Sequence, residues 1–209
     1  VSRLGNIIDA LLRLSRGGKI EYQCRPCDLQ SLVRRVVESM SAGLYDADAT
    51  VSLGELPPCC GDETALEQLF ANLIGNALKY RDSSRPSTIE VGAVAEQSIS
   101  GEATGTYYVR DNGLGIPIAH QEKIFQAFKR AHPNVASGEG MGLAIVRRIV
   151  ERHGGSVRVE SKVGQGSTFF VTLPILASEF AVESRESDAL QGETKHGRRT
   201  NGDFVGGRR

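Results

Sequence analysis

Two local glycine clusters constrain this chain more than any other feature: Asp111-Asn112-Gly113-Leu114-Gly115 ends a strand pattern, and Gly138-Glu139-Gly140-Met141-Gly142 opens a helical one. Glycine supplies 24 of 209 residues, an excess over the average of about 7% that includes both clusters. Glycines one residue apart just before a helix let main-chain N–H groups approach phosphate oxygens with no side chain between them. The helix N-terminus adds a favourable partial charge. A lone triplet suits a flexible turn equally well, so the rest of the pattern has to decide.

Apolar spacing divides the chain. Leu4, Ile7, Ile8, Leu11, Leu12 and Leu14 mark an amphipathic helix that Gly17-Gly18 stops. Alone it is too short to be stable in water, so residues 1–18 are expected to end a helical hairpin that begins upstream. A polar connector, residues 19–27, follows. Asp28 is the predicted N-cap of a helix with Leu29, Leu32, Val33, Val36, Val37 and Met40 on one face. Ala49 to Leu53 reads as a strand, and Asp62 caps a long helix to about Tyr80 with Leu66, Leu69, Phe70, Leu73, Ile74 and Ala77 as its stripe. Thr88 to Ala95 and Thr106 to Arg110 alternate as strands, Pro117 to Phe128 reads as helix, and Lys129 to Met141 as a long polar loop. Gly142 to His153 is a helix with cations in its last turn, and Ser156 to Ser161 with Ser167 to Leu173 make a final hairpin. Helices and strands mix without strict alternation. The expected fold is therefore an α/β (α+β) two-layer sandwich, a mixed sheet covered on one face by helices. The domain occupies 28–176, and residues 177–209 form a polar, aperiodic tail expected to be disordered.

Net charge excludes one class of partner: 25 basic and 25 acidic side chains cancel, leaving no diffuse field for nucleic acid, so any phosphate must be met by local groups. No apolar run reaches the length of a membrane span and no targeting signal opens the chain, so the expectation is a soluble, cytoplasmic segment of a longer polypeptide. Cys24-x-x-Cys27 and the adjacent Cys59-Cys60 lack a zinc-knuckle pairing and are read as reduced thiols.

The chemistry lies elsewhere. Asn72 and Asn76, four apart, share one helix face, and two amide oxygens on one face suit magnesium, which prefers oxygen ligands and keeps phosphates in its shell. Lys79, a turn beyond Asn76, can meet a phosphate as a point charge. Asparagine is a poor helix former, so its presence twice on an apolar helix needs a reason. Asp111, at a strand end, accepts hydrogen bonds only. It would welcome the amino group of adenine and repel the carbonyl of guanine.

In order, these segments resemble the ATP-binding catalytic domain of sensor histidine kinases of two-component systems, over about Asp28 to Ile175. Asn72 to Tyr80 is similar to that family's N box, Asp111 to Gly115 to its first glycine box, Ile124 to Phe128 to its F box, and Gly138 to Gly142 with Leu143 to its second glycine box. Tyr107 to Asp111 and Glu151 to Gly155 resemble most the branch that includes phytochrome-type light sensors. The resemblance implies a Bergerat-type fold with ATP and Mg2+ between the helices and the loop from Lys129 to Met141 as a lid. It further implies that Asn76 and Asn72 hold magnesium, Lys79 touches phosphate, Tyr80 borders the nucleotide, and Asp111 reads adenine beside Gly113 and Gly115. Lys129 and Arg130 would reach the γ-phosphate, and Thr168 would lie near the adenine pocket. The expected partners are the phosphoacceptor histidine helix, upstream of Val1, and a response-regulator receiver domain, with the parent a homodimer. None of His120, His132, His153 and His196 sits in a phosphoacceptor sequence, and each reads as a surface or capping residue.

Two rivals share parts of this pattern. ATPases of the gyrase, mismatch-repair and heat-shock chaperone type resemble each other in a Glu where this chain has Asn72, and an amide is no general base. A serine kinase acting on anti-anti-sigma factors is closer, but the N-terminal helix favours the histidine kinase. A nucleotide-free docking module is the third reading, opposed by Asn76, Asp111 and the second glycine box.

Overall fold

Alternation along the strands sets the frame of the molecule, seen here in a computed structural model that describes residues 25–94, 104–132 and 140–175. The expected N-terminal helix, Gly138, His196 and the expected disordered tail lie outside the described residues. The elements in order are β1 (Arg25–Cys27), α1 (Leu29–Ser39), α2 (Ser41–Asp46), β2 (Ala49–Leu53), β3 (Cys59–Gly61), α3 (Glu63–Lys79), β4 (Ser87–Val94), β5 (Thr104–Asp111), α4 (Ile118–Gln121), α5 (Gly142–Arg152), β6 (Ser156–Lys162) and β7 (Gly166–Pro174).

The main sheet has the order β2-β4-β5-β7-β6, with β2 parallel to β4 and the other pairs antiparallel. Register places Val91, Val109, Phe169 and Val159 in one cross-strand row and Ala93, Tyr107, Val171 and Val157 in the next. Because side chains alternate, these rows share a face, and they join one apolar core with Leu29, Leu32, Val33 and Val36 of α1, the Leu66–Ala77 stripe of α3, and Val146, Ile149 and Val150 of α5. The opposite rows carry Glu90, Arg110 and Glu160, then Tyr108, Phe170 and Arg158. The mixed two-layer sandwich is thus as expected.

Helix starts follow the capping chemistry. Asp28 accepts from Ser31 N at 3.0 Å, and Asp62 from Ala65 N at 2.9 Å. Asp62 N in turn donates to His153 Nε2 at 3.0 Å, while His153 Nδ1 lies 2.7 Å from Ile149 O. His153 therefore ties the start of α3 to the end of α5, a capping role.

Three readings need correction. The polar connector ends in a strand: β1 pairs antiparallel with β3, Cys27 opposite Cys59. That ribbon holds Cys27, Cys59 and Cys60; Cys27 and Cys59 are buried free thiols, but Cys60 is disulfide-bonded, so the set is not wholly reduced. Among the described residues no group of His, Cys, Asp or Glu could hold a metal. Finally, the helix expected over 117–128 ends at Gln121. Its amide donates to Ile116 O and Ser161 O, and Phe128 takes φ +64° to place its N–H 2.9 Å from Gly140 O. Tertiary hydrogen bonds override the helical period here.

Candidate functional site

One face of α3, the end of β5 and the start of α5 enclose a cavity of about 560 Å³. Residues four apart along a helix lie above one another, so Gln68, Asn72 and Asn76 line it together, followed by Lys79 and Tyr80. Asn72 Nδ2 donates to Gln68 O at 2.8 Å, which leaves its Oδ1 as the outward acceptor. Gly142 opens α5 against this row: a side-chain carbon there would lie 3.1 Å from Asn72 Oδ1 and 3.8 Å from the Asn76 amide nitrogen. That nitrogen is buried without a hydrogen-bond partner among the described residues. An unpartnered buried amide costs about 1–3 kcal/mol, and an amide's O and N ends exchange by a flip. With the Asn76 amide flipped, the ligand set is two amide oxygens facing a helix start, chemistry that fits a hard cation shared with phosphate.

Asp111 sits on the inner face by the same alternation that turns Tyr107 and Val109 inward. Its Oδ1 accepts from Gly113 N at 2.8 Å and more distantly from Ser167 N at 3.3 Å. Burial pushes its carboxyl up from the usual 3.8 to about 6, against the opposing pull of the two N–H groups. Two opposite pH dependences follow. Any ligand that donates to the carboxylate should lose affinity as pH falls through about 6. The ligand-free fold gains from the proton, so its stability contribution is complete below 3.8 and is lost as pH rises through about 6. Melting temperature and ligand affinity followed from about pH 5 to 8 check both signs, and Asp111→Asn should flatten both curves.

Of the expected residues, Asn72, Asn76, Lys79, Tyr80, Asp111, Gly115, Lys129, Arg130, Gly140, Gly142 and Leu143 line this cavity. Gly113 supports it from behind: a side-chain carbon there would lie 2.5 Å from Tyr80 O and 2.9 Å from Asp111 Oδ1. Thr168 is not brought to the cavity. It pairs with Arg110 and Glu160, and its neighbours Ser167 and Phe169 line the wall instead. His132, expected at the surface, lines the cavity too, with Nε2 2.6 Å from Gly115 O. Gln68 was missed although its spacing from Asn72 and Asn76 gives it away; His132 carries no such periodic signal.

Comparison with known proteins shows the family and the fold. Residues 61–177 match the sequence profile of the family described as histidine kinase-, DNA gyrase B- and HSP90-like ATPase. Cyanobacterial phytochrome B of Nostoc sp. is 38% identical over 82% of this chain and 22% of its own length. The sensor-like histidine kinase SenX3 of Mycobacterium tuberculosis is 32% identical over 94% of this chain and 48% of its own length. The chain therefore spans about a fifth to a half of these relatives. Among solved structures, full-length ShkA in complex with AMPPNP superposes with a TM-score of 0.69 at 30% identity, over 82% of this chain and 35% of that one.

Proposed function

The chain belongs to the histidine kinase-, DNA gyrase B- and HSP90-like ATPase family, and from that premise we propose that it binds ATP with magnesium and passes the γ-phosphoryl group to a histidine on a helical hairpin outside these residues. The observation that carries this reading is the charge pattern of the cavity. Asp111 is the one carboxylate among the described residues that line it, whereas Lys79, Lys129 and Arg130 all do. An ATPase that hydrolyses through a general base needs a carboxylate near the phosphates, and the first N-box position offers the Asn72 amide, tied to Gln68. Glu67 is exposed and outside the cavity.

In this reading Asp111 accepts the adenine amino group, Tyr80 borders the base, and Gly113 and Gly115 let the chain pass close to it. Asn76 and Asn72 hold magnesium, whose charge offsets that of the phosphate oxygens when it is bound. Lys79 meets the phosphates from α3, and Gly140, Gly142 and Leu143 bring main-chain N–H groups of the α5 start toward them. Lys129 and Arg130 approach the γ-phosphate, and Gly138 belongs to the same glycine-rich segment. The bond from γ-phosphorus to the bridging oxygen breaks as a bond to the histidine ring nitrogen forms, ADP leaves, and an aspartate of a response-regulator receiver takes the group next. The protein's part is positioning and charge. The parent is proposed to be a cytoplasmic homodimer; among the described residues no helix is long and apolar enough to cross a membrane.

The test mixes the chain with γ-labelled ATP, Mg2+ and the histidine hairpin of the longer protein. The label should appear on the hairpin as acid-labile, base-stable phosphohistidine and should not appear with Asn76→Ala. Phosphate release without transfer would point to the hydrolytic rival.

A further inference from the structure

His132 has no part in the site read from the sequence, yet it occupies a mechanically significant point. Its Nε2 lies 2.6 Å from Gly115 O, and a carbonyl only accepts, so Nε2 carries the hydrogen. The anchor is closely packed. Gly115 has φ +70°, and a side-chain carbon there would lie 2.1 Å from Lys162 O, so its backbone is pressed against the β6–β7 turn. Ile116 N adds a bond to Ser161 Oγ at 2.8 Å. The other end of the same short segment is held at Phe128 N, which donates to Gly140 O at 2.9 Å. Between these two fixed points lie Lys129 and Arg130, both facing the cavity. The His132 ring also meets Tyr80, with centroids 6.1 Å apart and planes at 44°.

We propose that His132 is a positioning residue for the nucleotide's phosphates: its bond to Gly115 O ties the segment bearing Lys129 and Arg130 to the rigid floor of the cavity, so that both cations are held in place before the nucleotide arrives. This rests on the nucleotide reading above. A free segment would pay the ordering cost on binding; the tether removes it. The effect therefore belongs to ligands that reach the cations, so ATP feels it more than adenosine.

The test compares the wild-type chain with His132→Ala and His132→Gln, the second keeping an amide donor for Gly115 O. Affinities for Mg-ATP and adenosine are read by calorimetry, and melting temperature is read without nucleotide. His132→Ala should weaken ATP about tenfold, the scale of one hydrogen bond. Adenosine affinity should change by less than about twofold on the same scale, and His132→Gln should recover most of the ATP loss. If His132→Ala does not fold, His132→Asn replaces it, since its shorter side chain carries the donor away from Gly115 O. Equal ATP affinity in wild type and the shortened variant overturns the tether, as does an equal loss for adenosine or a Gln variant that rescues nothing. A folded wild type that binds no ATP overturns the nucleotide reading and the tether with it, an outcome separable from the others by the wild-type titration alone.

Discussion

Asp111→Asn should cost at least about a hundredfold in ATP affinity, and the reason is a conflict of donors. The carboxylate accepts from Gly113 N and, through the same oxygen, from Ser167 N, which leaves the second oxygen for a ligand amino group. An amide has one acceptor end. If Asn keeps its oxygen on the main-chain N–H groups, its own NH2 faces the adenine NH2; if it flips, it faces Gly113 N–H. Either way a buried donor goes unmet and a charge-assisted bond is lost, together about 3–4 kcal/mol. Stability should move the other way. Burial holds the Asp111 carboxyl near 6, so at neutral pH the folded, nucleotide-free protein carries an unfavourably buried charge that Asn removes. Calorimetry with ATP and a melting curve without it separate the two: affinity collapses while the melting temperature holds or rises. A parallel fall in both would mean that Asp111 serves the fold.

Gly166→Ala should be severely damaging, because a positive φ and a main-chain clash coincide there. Gly166 has φ +106°, and a side-chain carbon would lie 1.9 Å from Asp111 O and 2.8 Å from Asn112 Cα. These are main-chain atoms in a ladder where Asp111 pairs with Ser167, so neither side can swing away. The substitution must push the end of β5, and with it Asp111, out of register. A loss of about 4 kcal/mol or more and no measurable ATP binding are expected. Gly164 provides the control. It has φ +76° but nothing within 4 Å of its would-be side-chain carbon, so Gly164→Ala should cost only the backbone term, about 1–2 kcal/mol, and leave ATP binding intact. Chemical denaturation of the two variants checks the ranking.

The long periodic elements were readable because one residue pattern determines each. Asp62 at the N-cap and seven buried positions from Ala65 to Ala77 define α3, and its polar face then follows from geometry. Alternation likewise defines β4, β5 and β7, and through it the inward turn of Asp111. The same alternation turns Thr168 away from the cavity, since Phe169 and Val171 face the core; the family resemblance pulled the reading past that simple parity. The β1–β3 ribbon was missed because strands of three residues show no period, and a pair so distant in sequence is made only by tertiary folding. The helix expected to run to Phe128 had a plausible apolar spacing, but Ile124 and Phe125 are buried through successive turns once Gln121 spends its amide on Ile116 O and Ser161 O. His132 belongs to a polar loop in which position, and not pattern, decides what a side chain touches.

The decisive measurement is a calorimetric titration of the chain with ATP and then GTP, each with and without magnesium. ATP should bind only weakly without the metal and markedly tighter with it, because Asn72 and, once its amide flips, Asn76 can offer amide oxygens beside a glycine-opened helix. GTP should bind at least about tenfold more weakly in both conditions, because its carbonyl faces the Asp111 carboxylate. A folded protein that takes both nucleotides equally, or takes neither, would contradict the assignment of this cavity to adenine and magnesium.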